Sequence, residues 1–519
     1  MVRAAFAETD PARLLAALHA FELTFADNME WPWMRWRYLS IEDPAYLNGF
    51  PEAAPNLSDN PFVQTILDAA HVARRGAKAE ADLAPLKAIF LPDSGWFAKS
   101  EPLAPSLQLE LMMLAFHERL WNPVHKLARR LISMDIITGD PDLNTRVQAL
   151  LLETLFFCIY RPFMPYYVAN PGKLIKRLKA LQKAPAVAPI MRTGGMAAKT
   201  IKANMLAMQG QFDEALVLYG DVAAATGFRT PVFQQTQILM PLTELTNEAR
   251  ETDMSWYKER SQTSFHYPHA TEAEHALLVA VEPGYFKQYG DLYARIVGTT
   301  NPGALIHFHM INFDDKPAAE AALNVLAADA NVRINHTFED NQMMIDRPQL
   351  KGGVCVNTRY IYLPEYLAAY RGVTITDIDG WLLKSMDDLT DFGDRDSLVS
   401  SWIWNKNTGY WRLPWGNLSG GYCSIKSTDS SKRFAGLVAH YLTRLFARNA
   451  YTGKPMFYAD QAAHFLCLKK AEADYGMKVG FVGGGFAQSE ELPFHDRHAG
   501  KRQAMQDKLD ELTGAAAGA

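Results

Sequence analysis

The sequence predicts an α/β domain preceded by an all-α, helical-repeat-like domain, and three observations carry that reading. Up to about residue 260, apolar residues recur at helical spacing with no strand pattern. Beyond it, short β-rich runs alternate with helical ones, the rhythm of a sheet covered by helices on both faces. The 519 residues, 48% hydrophobic and 21% charged, suffice for two to four domains and at least one large core without disulfides.

Composition also excludes classes of function. With 52 Lys+Arg against 57 Asp+Glu the net charge is −5, so a general nucleic-acid binder is not expected. No uncharged apolar run reaches about 18 residues, so no integral membrane segment is expected. The segment MVRAAFAETDPARLL has no apolar core before its acids, so no secretory signal is expected. Cys158, Cys355, Cys423 and Cys467 are scattered, with no C-x-x-C pair. Free thiols in a reducing cytoplasm follow from that spacing.

In the first half, ARLLAALHAFELTF, LQLELMMLAFHERLWNPVHKLARRLISM and RVQALLLETLFFCIY repeat at i, i+3, i+4 and i+7. Lys199–Gly227 is similar to one tetratricopeptide unit, with Gly210, Phe212, Ala215 and Tyr219 at the small and aromatic positions of a helical hairpin. No acid occurs between Glu153 and Asp213, while nine Lys and Arg do. Lys173, Lys176 and Arg177 share one helix face. The bland reading is a solvated face; the sharper one is a docking surface for an acidic partner.

The polar stretch Thr243–Ser264 is expected to mark the boundary, giving helical residues 1–265, an α/β domain over 270–505 and a flexible tail over 506–519. Strands are expected at His275–Val281, Ala304–Ile311, Val332–His336, Val373–Ile378, Leu398–Trp404 and Val479–Val482. Helices are expected at Gly290–Val297, Lys316–Ala328 and Cys355–Tyr370. In such sheets ligands bind at the carboxyl ends of the strands.

VTITDIDGWLLKSMDDL, residues 373–389, puts Asp377 and Asp379 just there. In an extended chain i and i+2 point the same way, so the two carboxylates can converge. Facing one point they need a cation between them. A hard divalent ion, completed by phosphate oxygens and water, answers that need. The structural alternative is a simple turn, since Asp and Gly are turn residues.

Five segments, in order, resemble glycosyltransferases of the GT-A nucleotide-sugar-binding fold, closest to the family-8-like enzymes. They are EHALLVAVEPGYFKQYGDL, CVNTRYIYLPEYLAAYRGVTITDIDGWLL, SMDDL, GGYCSIKST and FYADQAAHFL, within residues 274–505. The resemblance implies a metal-dependent glycosyltransferase taking a nucleotide sugar, a UDP-sugar, and passing the sugar to an acceptor hydroxyl with a lean towards retention. Asp377 and Asp379 would hold Mn²⁺ or Mg²⁺, joined by His498, with His495 as the other candidate. Lys501 and Arg359 would face the diphosphate, Tyr285 the base, and Gly421 the donor. Asp460 and Gln461 would address the donor sugar and the reacting centre. The helical half would recruit a protein or polysaccharide acceptor.

Two departures stand out: Ser419-Gly420-Gly421 where the family often has Asn before Gly, and Val281-Glu282-Pro283-Gly284 in place of an Asp-containing turn. Structural explanations exist for several of these residues: core packing for Tyr285, a surface salt bridge for Arg359, helix capping for Asp460, a polar tail for His498. His307 and His309 alternate on one strand and are expected to pack inward, and the Gly-rich run Gly480–Phe486 lacks the helix of a dinucleotide fingerprint. The rival to the enzyme is a helical scaffold with a degenerate, non-catalytic α/β half. Nucleotidyl transfer, which also uses paired carboxylates and a metal, is a third reading.

Overall fold

The computed structural model describes residues 60–74, 88–134 except 104, 118 and 119, 151–159 except 153 and 157, 171–226, 238–269, 274–401 except 383 and 384, 415, 418–452, 456, 459–481, 486–488 and 497–514. The chain divides into two units, Met1–Gln237 with Asn407–Trp411, and Ile238–Lys406 with Arg412–Ala519.

Every described element of the first unit is helical. The longer helices are α1 (Pro61–Arg74), α2 (Pro105–His117), α3 (Trp121–Leu131), α4 (Pro171–Gln182), α5 (Ala188–Thr193), α6 (Met196–Met208) and α7 (Phe212–Thr226). In α3 the buried set Val124, Leu127, Ala128 and Leu131 follows the i, i+3, i+4, i+7 stripe. Helices α6 and α7 form the hairpin expected around Gly210. That glycine takes a φ of 81°, open to a residue without a Cβ. Ala215 and Tyr219 are buried, and the Tyr219 hydroxyl donates to Asn204 of the facing helix. One hairpin is not an array of repeats.

The second unit is built on a mixed eight-stranded sheet. Its strands are β1 (Ser261–His266), β2 (His275–Val281), β3 (Leu305–Ile311), β4 (Arg333–Asn341), β5 (Gly372–Thr376), β7 (Ser397–Ser401), β8 (Leu418–Lys426) and β9 (Val479–Phe481), ordered β1-β4-β3-β2-β5-β8-β7-β9. Strands β2 to β5 run parallel, whereas β1 and β8 run antiparallel to their neighbours. A short ribbon pairs β6 (Gly380–Leu382) with β10 (Phe486–Gln488). The longer helices are α8 (Asn247–Lys258), α9 (Pro283–Thr300), α10 (Lys316–Ala330), α11 (Lys351–Ile361), α12 (Leu363–Ala369), α13 (Asp429–Asn449), α14 (Ala459–Tyr475) and α15 (Arg497–Thr513).

The two sheet faces differ in chemistry. Leu277, Val279, Ile306, Phe308 and Ile334 pack against α9 and α10 in an apolar core. On the other face, under α11 and α12, His307, His309, Asn335, Thr337 and Glu339 are fully buried yet polar. His307 bonds Tyr370 at 2.7 Å and Thr337 at 2.8 Å. His309 bonds Tyr366 and, at 2.7 Å, Glu339. The strand histidines thus take the inward, hydrogen-bonded role expected of them.

The sheet reaches further back than the polar stretch suggested. Much of Thr243–Ser264 forms α8 and edge strand β1, because its polar side chains find buried partners. Ser261 donates to Glu339 at 2.6 Å, and Asp253 takes Arg444 of α13 at 3.1 Å.

The expected tail over 506–519 is corrected as well: α15 continues to Thr513. Met505 is fully buried, and Leu509 and Leu512 pack against the same core cluster. Their i, i+4, i+7 spacing places one stripe of the helix on the core.

Candidate functional site

Strand β5 ends at Thr376, so Asp377, Ile378 and Asp379 form the turn into β6 rather than the end of an extended run. The turn still keeps the carboxylates near one another. Burial, and then the charge of Asp377, raise the Asp379 carboxyl above its ordinary range, while the Lys501 ammonium works against them. Lys501, four residues into α15, donates directly to Asp379 Oδ2. Asp377 accepts from Arg359 at 2.6 Å. Each acid of the turn therefore has a cation from a different helix, which is what low-dielectric surroundings demand of neighbouring like charges.

Arg359 lies deep inside, not on the surface. Its guanidinium reaches Asp377, the Thr376 carbonyl at 2.8 Å, the Gly420 carbonyl at 3.3 Å, and Asp460 at 3.7 Å. One planar fork thus ties the acidic turn to β8 and to the start of α14, a task for which several fixed donors are needed. Helix α11 is fastened to the sheet at a second point: Thr358, one residue before, donates to Glu339 at 3.1 Å.

Asp460 and Gln461 stand in the first turn of α14, both more than nine-tenths buried. Burial pushes the Asp460 carboxyl up to about 6, with Arg359 opposing and Asp377 adding to the rise. Among the described residues Gln461 Oε1 is buried without a hydrogen-bond partner, an acceptor whose desolvation no described group offsets. These two side chains fit only because Gly420 faces them. A Cβ there would lie 2.5 Å from Asp460 Oδ2 and 2.9 Å from Gln461 Cγ. Gly421, the expected donor contact, is the next residue of β8 and is buried.

Tyr285 stands in the first turn of α9. Burial first, and then the negative charges of the turn led by Asp379, push its phenol well above the ordinary range. It packs against Tyr289 with ring centroids 5.2 Å apart. Glu282 caps this helix, accepting from the amides of Gly284 and Tyr285 at 2.9 Å and from Lys351 at 2.8 Å. Burial opposes its charge, yet those bonds hold the Glu282 carboxyl below its ordinary range. The departure Val281-Glu282-Pro283-Gly284 is therefore a capped helix start with Pro in the first turn.

No protein family matches the chain, and no curated protein matches it. Among solved structures, a WbbM bifunctional glycosyltransferase in its apo form is similar at 10% identity over 46% of this chain, with a TM-score of 0.25. The matched region spans about half of that protein, 52%. A likeness of this size carries no function across.

The structure thus gathers Arg359, Asp377, Asp379, Asp460, Gln461 and Lys501 into one linked group, with Tyr285 within electrostatic reach. His498 is placed by backbone only, one helical turn before Lys501, and His495 lies outside the described residues. Gly420 and Glu282 were not singled out by their chemistry. The Pro-Gly after Glu282 and the double glycine were the available signals.

A thiol–imidazole pair sits beside the group without nucleophilic character. Cys423 Sγ lies 3.5 Å from His464 Nε2. Burial raises the thiol to about 12 and lowers the imidazole to about 3, so both stay neutral.

The donor chemistry suits a hard cation. Asp377 and Asp379 offer oxygen donors on a turn at the carboxyl edge of the sheet, and each already has a positive side chain as partner. Among the described residues no third His, Cys, Asp or Glu joins them in a metal set.

Proposed function

We propose that the second unit is a glycosyltransferase that moves a sugar from a nucleotide diphosphate to an acceptor hydroxyl. The observation that carries this reading is the convergence just described. Residues from α9, α11, the β5–β6 turn, β8, α14 and α15 meet at the carboxyl end of a central parallel strand. The group holds three acids, two cations and a buried acceptor, Gln461 Oε1, that has no partner among the described residues.

In this reading Asp377 and Asp379 hold Mn²⁺ or Mg²⁺, whose charge when bound would stabilise the leaving diphosphate. Lys501 stands where an ammonium can turn from Asp379 towards a phosphate oxygen, adding to that stabilisation. Arg359 keeps the acidic turn and Asp460 in register from beneath. Asp460 and Gln461 orient the donor sugar: a sugar hydroxyl donating to Gln461 Oε1 would satisfy the buried amide. Tyr285 offers a ring against which a base can stack. The acceptor is a hydroxyl-bearing protein or polymer.

A thermal-shift screen of nucleotide sugars with and without Mn²⁺ tests the binding step, because a ligand of the folded form raises the melting temperature. Release of nucleoside diphosphate tests the chemistry. Asp377→Asn and Asp379→Asn should each abolish metal-dependent release while the chain stays folded. No shift and no release with any common nucleotide sugar would overturn the proposal in favour of a non-catalytic scaffold. Pyrophosphate release from a nucleoside triphosphate would overturn it in favour of nucleotidyl transfer.

A further inference from the structure

Residues 154–212 contain nine Lys and Arg and no Asp or Glu, in a chain whose net charge is −5. The stretch carries +9, so the remainder carries −14. A bias this local is the electrostatic signature of a contact surface.

Helix α4 shows how the charge is presented. Leu174, Leu178 and Leu181 are buried, and they fall on one stripe. Lys173, Lys176, Arg177, Lys179 and Lys183 are exposed and project from the remaining arc of the helix and its first residue beyond. None of the four lysines has an acidic partner among the described residues. Over ten residues the ridge runs about 15 Å. The cations continue beyond it with exposed Arg192 and Lys202, whereas Lys199 pairs with Asp221 at 3.4 Å.

Three features select the partner. The apolar stripe of α4 faces inward, so the ridge has nothing to insert and must hold by charge alone. It is a convex helix surface, suited to a flat field of charge. Its cations are mostly Lys, a point charge without the fork that recognises individual phosphates along a polymer. No described helix is long and apolar enough to cross a membrane, so contact would be with the lipid surface. We propose that the α4 ridge docks the protein onto an anionic lipid surface. The inference is independent of the chemistry of the second unit.

The test uses the full chain and sedimentation with vesicles of phosphatidylcholine, with and without 30% phosphatidylglycerol. Binding is expected only to the anionic vesicles, and should weaken steeply as salt rises. At roughly fivefold in partition per cation, Lys173→Gln, Lys176→Gln and Lys183→Gln together should reduce binding on the order of 100-fold. A control triple, Lys99→Gln, Lys126→Gln and Lys432→Gln, removes equal charge elsewhere and should retain most of it. All six residues are exposed, and circular dichroism would verify that both variants fold. Equal binding by wild type and the ridge variant, or no binding to anionic vesicles, overturns the proposal. Capture by heparin or single-stranded nucleic acid in place of vesicles would reassign the ridge to a soluble polyanion.

Discussion

Lys501 donates to Asp379 across 122 positions of sequence, bringing the last described helix to the acidic turn after β5. The ammonium restrains the rise of the Asp379 carboxyl, which burial and Asp377 drive. Lys501→Met should therefore move the Asp379 titration upward. Carboxyl carbon chemical shifts followed against pH would show this, and an unchanged midpoint would break the pairing.

Asp460 is shifted in the same direction, and its shift bears on stability. Its folded value of about 6 lies above the ordinary 3.8. Below about pH 4 it is protonated in both states and contributes no penalty. As pH rises to 6 the unfolded chain ionises first, so the native state loses stability, and above 6 the penalty is constant. The span corresponds to on the order of 3 kcal/mol. Asp460→Asn should lack this fall between pH 4 and 6 in urea melts while losing sugar-nucleotide turnover.

Gly420 is the tightest steric point of the group. Gly420→Ala should displace the Asp460 and Gln461 side chains, with a loss of about 1–3 kcal/mol from overpacking and a fall in donor hydrolysis of tenfold or more. A fully active alanine variant would show that the pair need not sit where it does.

Glu339 is the hub of the polar sheet face. It accepts from Ser261, Asn341, Thr358, His309 and Tyr257. Burial works against its charge, but those donors, led by His309, hold the carboxyl below its ordinary 4.5. The stability it confers is present above pH 4.5 and is lost as pH falls through the depressed folded value. Glu339→Gln should cost about 3–5 kcal/mol at neutral pH, and its denaturation midpoint should depend less on pH on the acid side than that of wild type.

Leu509→Ala tests the corrected C-terminus. A residue in a flexible tail would tolerate it; one packed on the core under α9 should lose about 1–3 kcal/mol. Chemical denaturation separates the two.

The strands β2, β3 and β5 were legible because runs such as ALLVAV and VTIT are apolar and β-branched. Strand β1, Ser-Gln-Thr-Ser-Phe-His, was not. Its polar residues meet the polar face of β4 and α12, and that pairing exists only in three dimensions. Strands β6 and β10 have three residues each, too few to show a period. Helix α15 carried its signal in Met505, Leu509 and Leu512, obscured by the charged residues between them. At the site, the residue types and their order were visible. The bonding was not: Arg359 is a buried tie among Asp377, Asp460 and two carbonyls, and no local pattern announces which acid an arginine will meet.

Because Lys501 is translated after every other piece of the linked group, the growing chain carries Asp379 without its counter-charge until α15 emerges from the ribosome. The linked group is thus completed last, and a cut anywhere between β10 and α15 would leave the sheet with an acidic turn that has lost its ammonium. Synthesis order and site assembly are coupled through a single side chain.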